Sequence, residues 1–191
     1  MGMSAQQKML HVADRLGLTT LKDMQGTTRM VYDSIGTAAS NFTLFKGASQ
    51  RAFPFTNVGA NGNQFQVDEA LLVEKIGFFV PSAADGIAYT GISDIGGLGI
   101  FVSVKFDLVI GNKTVIKDAT CEAAGEQAFY NDGLTGSSVI DLEGVGILIP
   151  PQVEYYIVAK TFDTRTRQAI STRLGCYLFG TGALLNFNTT I

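Results

Sequence analysis

The run Phe101–Ile110 (FVSVKFDLVI) limits the fold of this chain more than any other stretch. Val102, Val104, Phe106, Leu108 and Ile110 alternate with Ser103, Lys105 and Asp107. At 100° per residue a helix would scatter those apolar side chains around its whole circumference, whereas a strand places them on one face. Gly111–Asn112 follows directly, so the chain is expected to return as a hairpin through Thr114–Lys117. A two-residue turn would pair Ile110 with Lys113 and Phe106 with Lys117, putting two lysines on the core face. A three-residue loop through Lys113 would instead pair Ile110 with Thr114 and Leu108 with Ile116. A one-residue slip exchanges the two faces of a strand, so the three-residue loop is expected.

The same texture extends along most of the chain. Twenty-two of 191 residues are glycine, against roughly 7% in average proteins, and they separate short runs of Val, Ile, Phe, Tyr and Thr. Strands are expected at Asn41–Lys46, Ala52–Thr56, Leu71–Val80, Ser137–Leu142, Val145–Ile149, Val153–Phe162, Arg173–Phe179 and Ala183–Phe187. The last two are divided by Gly180–Thr181–Gly182. Val153–Phe162 is apolar at successive positions in its centre, which predicts a strand covered on both faces. Ser82–Gly99 is small and turn-rich and is expected to be mostly loop. Pro54, Pro81, Pro150 and Pro151 lie at or near the ends of apolar runs, where a sheet tolerates them. Connections of very different lengths point to Greek-key crossings, hence an antiparallel all-β sandwich of jelly-roll type.

Residues 1–36 read differently and are expected to form an arm preceding a β-domain of residues 37–191. Ser4 and Gln7 have capping-box spacing, and Met9, Val12, Ala13 and Leu16 recur at helical intervals before Gly17. Leu18, Leu21 and Met24 allow a further short helical turn. A helix of about twelve residues is marginal alone in water, so its stripe must dock on something. Packing on its own domain and reaching a neighbouring subunit are both compatible with that need. The β-domain has enough apolar strands for two sheets by itself, so Met9, Val12, Ala13, Leu16 and Leu21 are expected to form an assembly element.

Composition excludes several classes of function. Only 16% of residues are charged, against about 25% in typical domains, and mean hydropathy is +0.22. That is too apolar for a disordered chain and predicts surface covered by partners. The net charge of −3 argues against a polybasic nucleic-acid binder. No apolar run is long enough for a transmembrane helix, and Met1–Leu10 lacks the pattern of an export signal. Cys121 and Cys176 cannot build a disulfide framework and are expected to be reduced.

Chemistry-bearing motifs are few. His11 is the only histidine and is read as a helix-surface residue, far in sequence from any nucleophile. The two cysteines have no histidine nearby to complete a zinc site; Cys176 is expected in the core and Cys121 near a strand end. The stretch Gly91–Ile92–Ser93–Asp94–Ile95–Gly96–Gly97–Leu98–Gly99 leads into a strand, whereas phosphate-cradling loops lead into a helix. Asp85, Asp94, Asp118, Asp132, Asp141 and Asp163 stand singly, without calcium-loop spacing. Phe42, Phe45, Phe53 and Phe55 fall at near-alternate positions, but sugar platforms favour tryptophan and the chain has none. The phenylalanines are therefore assigned to core or to a subunit contact. No catalytic residue, cofactor or metal is expected.

Four stretches resemble single jelly-roll virion proteins, the capsid and capsid-decoration proteins of bacteriophages. One is the helical arm before a β-domain. Another is Phe65-Gln-Val-Asp-Glu-Ala-Leu-Leu-Val-Glu-Lys-Ile-Gly-Phe78, similar to their long early strand. The third is Gly146-Ile-Leu-Ile-Pro-Pro-Gln-Val-Glu-Tyr-Tyr-Ile157, similar to their late strand, proline corner and strand, and Leu174-Gly-Cys-Tyr-Leu-Phe-Gly180 resembles their last long strand. The resemblance implies a non-enzymatic protein that assembles with copies of itself and with other virion proteins, in a virion built in the host cytoplasm. A carbohydrate- or partner-binding sandwich module is the alternative expectation.

Overall fold

The computed structural model describes residues 4–18, 24–48, 51, 53–59, 62–79, 81, 102–120, 139–142, 146–163 and 166–185. Helix α1 spans Ala5–Arg15 and is followed by strands β1 (Met24–Ala39), β2 (Asn41–Leu44), β3 (Glu69–Phe79), β4 (Val102–Ile110) and β5 (Lys113–Thr120). Then come β6 (Val139–Asp141), β7 (Ile147–Ile149), β8 (Tyr155–Asp163) and β9 (Thr172–Leu185). One sheet has the order β1-β9-β3-β6, with β7 also on β3; the other has the order β2-β8-β4-β5. All pairings are antiparallel. The chain changes sheet at every step from β1 to β4, and its first and last strands lie side by side. This is the double Greek-key order of a jelly roll, an all-β sandwich.

The inner faces form one core. Val31, Leu71, Val73, Ile76, Phe78, Leu174, Cys176 and Leu178 of the first sheet meet Phe42, Leu44, Val104, Phe106, Leu108, Ile157 and Ala159 of the second. The Phe78 and Phe106 rings, 4.9 Å apart, join the two layers. Val104, Phe106 and Leu108 are buried and Lys105 is exposed, as the alternation predicts, but Asp107 is half-buried and Ser103, on the polar side of the run, is buried as well.

The inner face of β3 is continuous only because the strand is bulged. Val73 pairs with Gly180 and Lys75 with Phe179, leaving Glu74 as the extra residue. The bulge resets the alternation, so Leu71 and Val73 before it and Ile76 and Phe78 after it all point into the core. The sequence marks the place with two adjacent charged residues, Glu74 and Lys75. Opposite the bulge, a Cβ on Gly180 would lie 1.9 Å from the Leu72 carbonyl oxygen. Gly180 is thus required for close backbone approach, and the expected break at Gly180–Thr181–Gly182 is replaced by the uninterrupted strand β9.

Several other expectations need correction. The boundary at residue 36 falls inside β1, a 16-residue edge strand that begins at Met24. Its first half is largely exposed, so it lacks the alternation that would reveal a strand, although Thr27, Thr28, Val31 and Tyr32 favour one. Leu21 and the 82–99 stretch lie outside the described residues. Residues 53–55 form a turn, and only Thr56 bridges to β1, at Asp33. β8 alternates: Tyr155, Ile157, Ala159 and Thr161 are buried and Lys160 is exposed, so the strand is not covered on both faces.

The hairpin solves its register in a way not foreseen. Ile110 pairs with Lys113 across a two-residue turn, with Gly111 at φ +61° as a type II′ turn requires at its first central position. A shift then skips Val115, and Leu108 meets Ile116 after all. A second shift precedes the Phe106–Ala119 pair, so Phe106 does not face Lys117.

A buried carboxylate paired with Arg51 ties β1 to the corner after β2. Asp33 is fully buried; its Oδ1 accepts from Arg51 Nε at 2.9 Å, and its Oδ2 accepts from the Phe45 backbone N–H at 2.7 Å and from Arg51 Nη2. Phe45 adopts φ +70°, costly for a bulky residue, and the Asp33 bond together with the Phe45–Tyr155 ring contact at 5.3 Å holds it there.

Phe106→Ala is expected to cost about 3–5 kcal/mol by leaving a cavity between the sheets. Lys105→Ala, on the exposed face, is expected to cost a few tenths. Urea denaturation of both variants checks this; equal losses would show the face assignment to be wrong.

Candidate functional site

The stripe singled out in the N-terminal helix is brought together, but on its own domain. The Ser4–Gln7 capping box is formed reciprocally, with Ser4 N–H donating to Gln7 Oε1 at 2.8 Å and Gln7 N–H to Ser4 Oγ at 3.3 Å. Val12 is fully buried against Ala70, Leu72 and Ala183, with Met9 and Leu16 packed beside them. Ala13 is also buried. A Cβ on Gly26 would sit 2.7 Å from Met9 Sδ, so the small residue on β1 leaves room for the methionine. The helix thus covers the outer face of the β1-β9-β3 layer, and the arm expected to be surplus to the domain is part of it.

Polar contacts fasten the helix. Lys8 Nζ donates to Glu74 Oε2 at 2.7 Å, and Thr181 Oγ donates to Glu74 Oε1 at 2.7 Å. Arg15 Nη1 reaches the Gly146 carbonyl at 3.2 Å. The bulge turns Glu74 onto the outer face, where its carboxylate is nearly buried; a buried carboxylate needs a cation, and the helix supplies it. His11, read as a surface residue, is half-buried, and its Nε2 is enclosed without a hydrogen-bond partner.

The other singled-out residues do not converge. Cys176 is in the core, as expected, while Cys121 and the 91–99 glycine stretch lie outside the described residues, as do Asp85, Asp94 and Asp132. Asp118 pairs with Lys105 at 2.8 Å on the outer face of the second sheet, and its backbone N–H donates to Asp107 Oδ1 at 2.6 Å. The hydrogen bond and charge of Lys105 hold the Asp118 carboxyl below its ordinary value of 3.8. Among the described residues no three His, Cys, Asp or Glu side chains gather as a metal-binding group, and no helix is long and apolar enough to cross a membrane. Phe42 and Phe45 are buried, but Phe53 is 77% exposed.

A cavity of about 300 Å³ opens between the starts of β3 and β8 and residues 57–59 and 62–66. Arg29 and Glu69 form one wall, paired at 3.1 Å. The Arg29 guanidinium lies 4.6 Å from the centre of the Phe65 ring, which stacks on Tyr155 at 5.3 Å. Gln64 and Gln66 complete the lining from its exposed rim. Burial raises the pKa of the Tyr155 hydroxyl, with the charge of Arg29 opposing. No hydrogen bond to that hydroxyl is made among the described residues. Asn57 is committed elsewhere: its amide accepts from Tyr32 N–H at 2.7 Å and donates to the Met30 carbonyl at 2.8 Å, capping the free edge of β1. Sequence reasoning did not find this site, because its walls come from positions as distant as Arg29 and Tyr155, and Tyr155 reads as an ordinary strand residue.

A scan against protein-family models, a search of curated proteins and a search of solved structures each returned no match to this chain.

Lys8→Met is expected to destabilise the fold by about 1–3 kcal/mol, because Glu74 loses its cation while remaining desolvated. Adding Glu74→Gln should recover part of the loss, since the amide oxygen still accepts from Thr181. A thermal-unfolding cycle measures this, and additive losses would refute the coupling. Asp118 should titrate below 3.8 by carboxyl NMR and move back toward it in Lys105→Met. The pair therefore supports the hairpin above the ordinary carboxylate range and is lost as pH falls through the lowered value.

Proposed function

We propose that this chain is a non-enzymatic structural protein of a virion, a bacteriophage capsid or capsid-decoration subunit that acts by assembling with copies of itself and other virion proteins. The observation that carries the reading is the strand order, β1-β9-β3-β6 facing β2-β8-β4-β5, an architecture found among viral capsid domains and also among lectins and cupins. Fold alone does not assign function, so surface composition has to support it as well. The low charged fraction leaves apolar side chains outside, among them Phe53 at 77% exposure, Val67 at 65% and Val115 at 45%.

The contacts in this reading differ from those first expected. Met9, Val12 and Leu16 are occupied by their own sheet and do not serve a neighbour in this docked state. Phe53 lies in the turn beside the edge strand β1, with Met30, 44% exposed, on that strand. An exposed aromatic beside an edge strand is the kind of anchor that subunit contacts use. In this reading the protein works in the virion, assembled in the host cytoplasm.

Sedimentation velocity across a concentration series, with negative-stain microscopy of the same samples, tests the proposal. Regular oligomers or closed particles are expected, alone or with the other virion proteins. Phe53→Ser should weaken association by about tenfold or more, the equivalent of unburying one phenylalanine, without lowering the melting temperature. Monomers at every concentration and in every mixture would refute it.

A further inference from the structure

We propose that the cavity bounded by Arg29, Glu69, Phe65 and Tyr155 is a binding site for one neutral sugar ring. Its volume of about 300 Å³ lies at the small end of ligand pockets, enough for a single ring. Tyr155 lines it although the residue is only 1% exposed. Its hydroxyl has no hydrogen-bond partner among the described residues. The hydroxyl borders the cavity, and a ligand hydroxyl entering it would bond there in place of water.

The chemistry of the walls selects the ligand. Arg29 and Glu69 already neutralise each other at 3.1 Å, so a charged ligand would have to break that pair. Donors (Arg29) and acceptors (Glu69) stand side by side with the two-way groups of Tyr155, Gln64 and Gln66. Vicinal hydroxyls, each both donor and acceptor, match such a mixed lining better than a phosphate or an ammonium group does. Val31 and Val58 offer apolar surface to the ring's C–H groups. Recognition here does not use aromatic stacking: Phe65 is 4% exposed, flanked by Tyr155 and Arg29. The lack of tryptophan is therefore no obstacle at this site.

The test is an amide NMR titration of the full chain with glucose, methyl α-D-glucopyranoside, methyl β-D-galactopyranoside and N-acetylglucosamine, with glucose 6-phosphate as the charged control. At least one neutral sugar should give saturable shifts at Gly59, Gly62, Gln64 and Gln66, and the phosphate should bind more weakly. Tyr155→Phe, which removes only the hydroxyl, should weaken binding about fivefold, the usual worth of one hydrogen bond. Gln64→Ala, on the exposed rim where folding is not at risk, should also weaken it. Binding of a methyl glycoside identifies the terminal residue of a glycan as a ligand source, whereas binding of free glucose without its methyl glycoside identifies a free sugar. The proposal is overturned by an absence of saturable shifts with all the neutral sugars, by tighter binding of the phosphate, or by binding that neither variant changes.

Discussion

The buried carboxylate of Glu74 is the point on which the two halves of this molecule depend. It sits at a bulge that β3 needs in order to keep Leu71, Val73, Ile76 and Phe78 on one face. Without the extra residue the second half of the strand would present its apolar side chains to the wrong layer. The same bulge crowds the neighbouring backbone until only glycine fits at position 180. It also turns the carboxylate outward into a desolvated place, where Thr181 satisfies one oxygen and Lys8 of the helix the other. Core register and helix docking are therefore coupled through one side chain.

That coupling gives the N-terminal helix its role. An eleven-residue helix has little stability by itself, and here a capping box, an apolar stripe and two basic side chains all act on it together. The outer face of the β1-β9-β3 layer carries Ala70, Leu72 and Ala183, side chains that would otherwise meet water. Helix and sheet each cover what the other exposes. The jelly roll begins at Met24, and its free edge is managed locally by Thr56 and Asn57, which take up backbone groups of β1.

Legibility of the candidate sites followed the sequence distance between their parts. Met9, Val12, Ala13 and Leu16 were legible because helical spacing places them on one stripe within a single element. What that stripe packs against was not, since Ala70 and Ala183 join it only through sheet pairing. The cavity was not legible at all. Arg29, Glu69 and Tyr155 come from three strands, and nothing local distinguishes them from ordinary strand residues.

What the sequence alone determined was whatever depends on near neighbours: the period-2 face of Val104, Phe106 and Leu108, the helix cap at Ser4, the glycine end of that helix, and the all-β class with its Greek-key connections. These follow from backbone geometry and from side chains within a few residues of one another. Tertiary structure decided the register of the β4–β5 hairpin, the continuity of β9 and the strand identity of residues 24–36. A bulge at Val115 reconciles a two-residue turn with the pairing of buried Leu108 and half-buried Ile116, a solution that exists only because β4 is already held against β8. Gly180 reads as a turn in sequence and proves to be a close backbone contact, because the atom it must avoid belongs to Leu72, 108 positions away by residue number. Edge strands such as β1 have one flank without a strand partner, so their sequence carries half the pattern, and pairing with β9 supplies the rest.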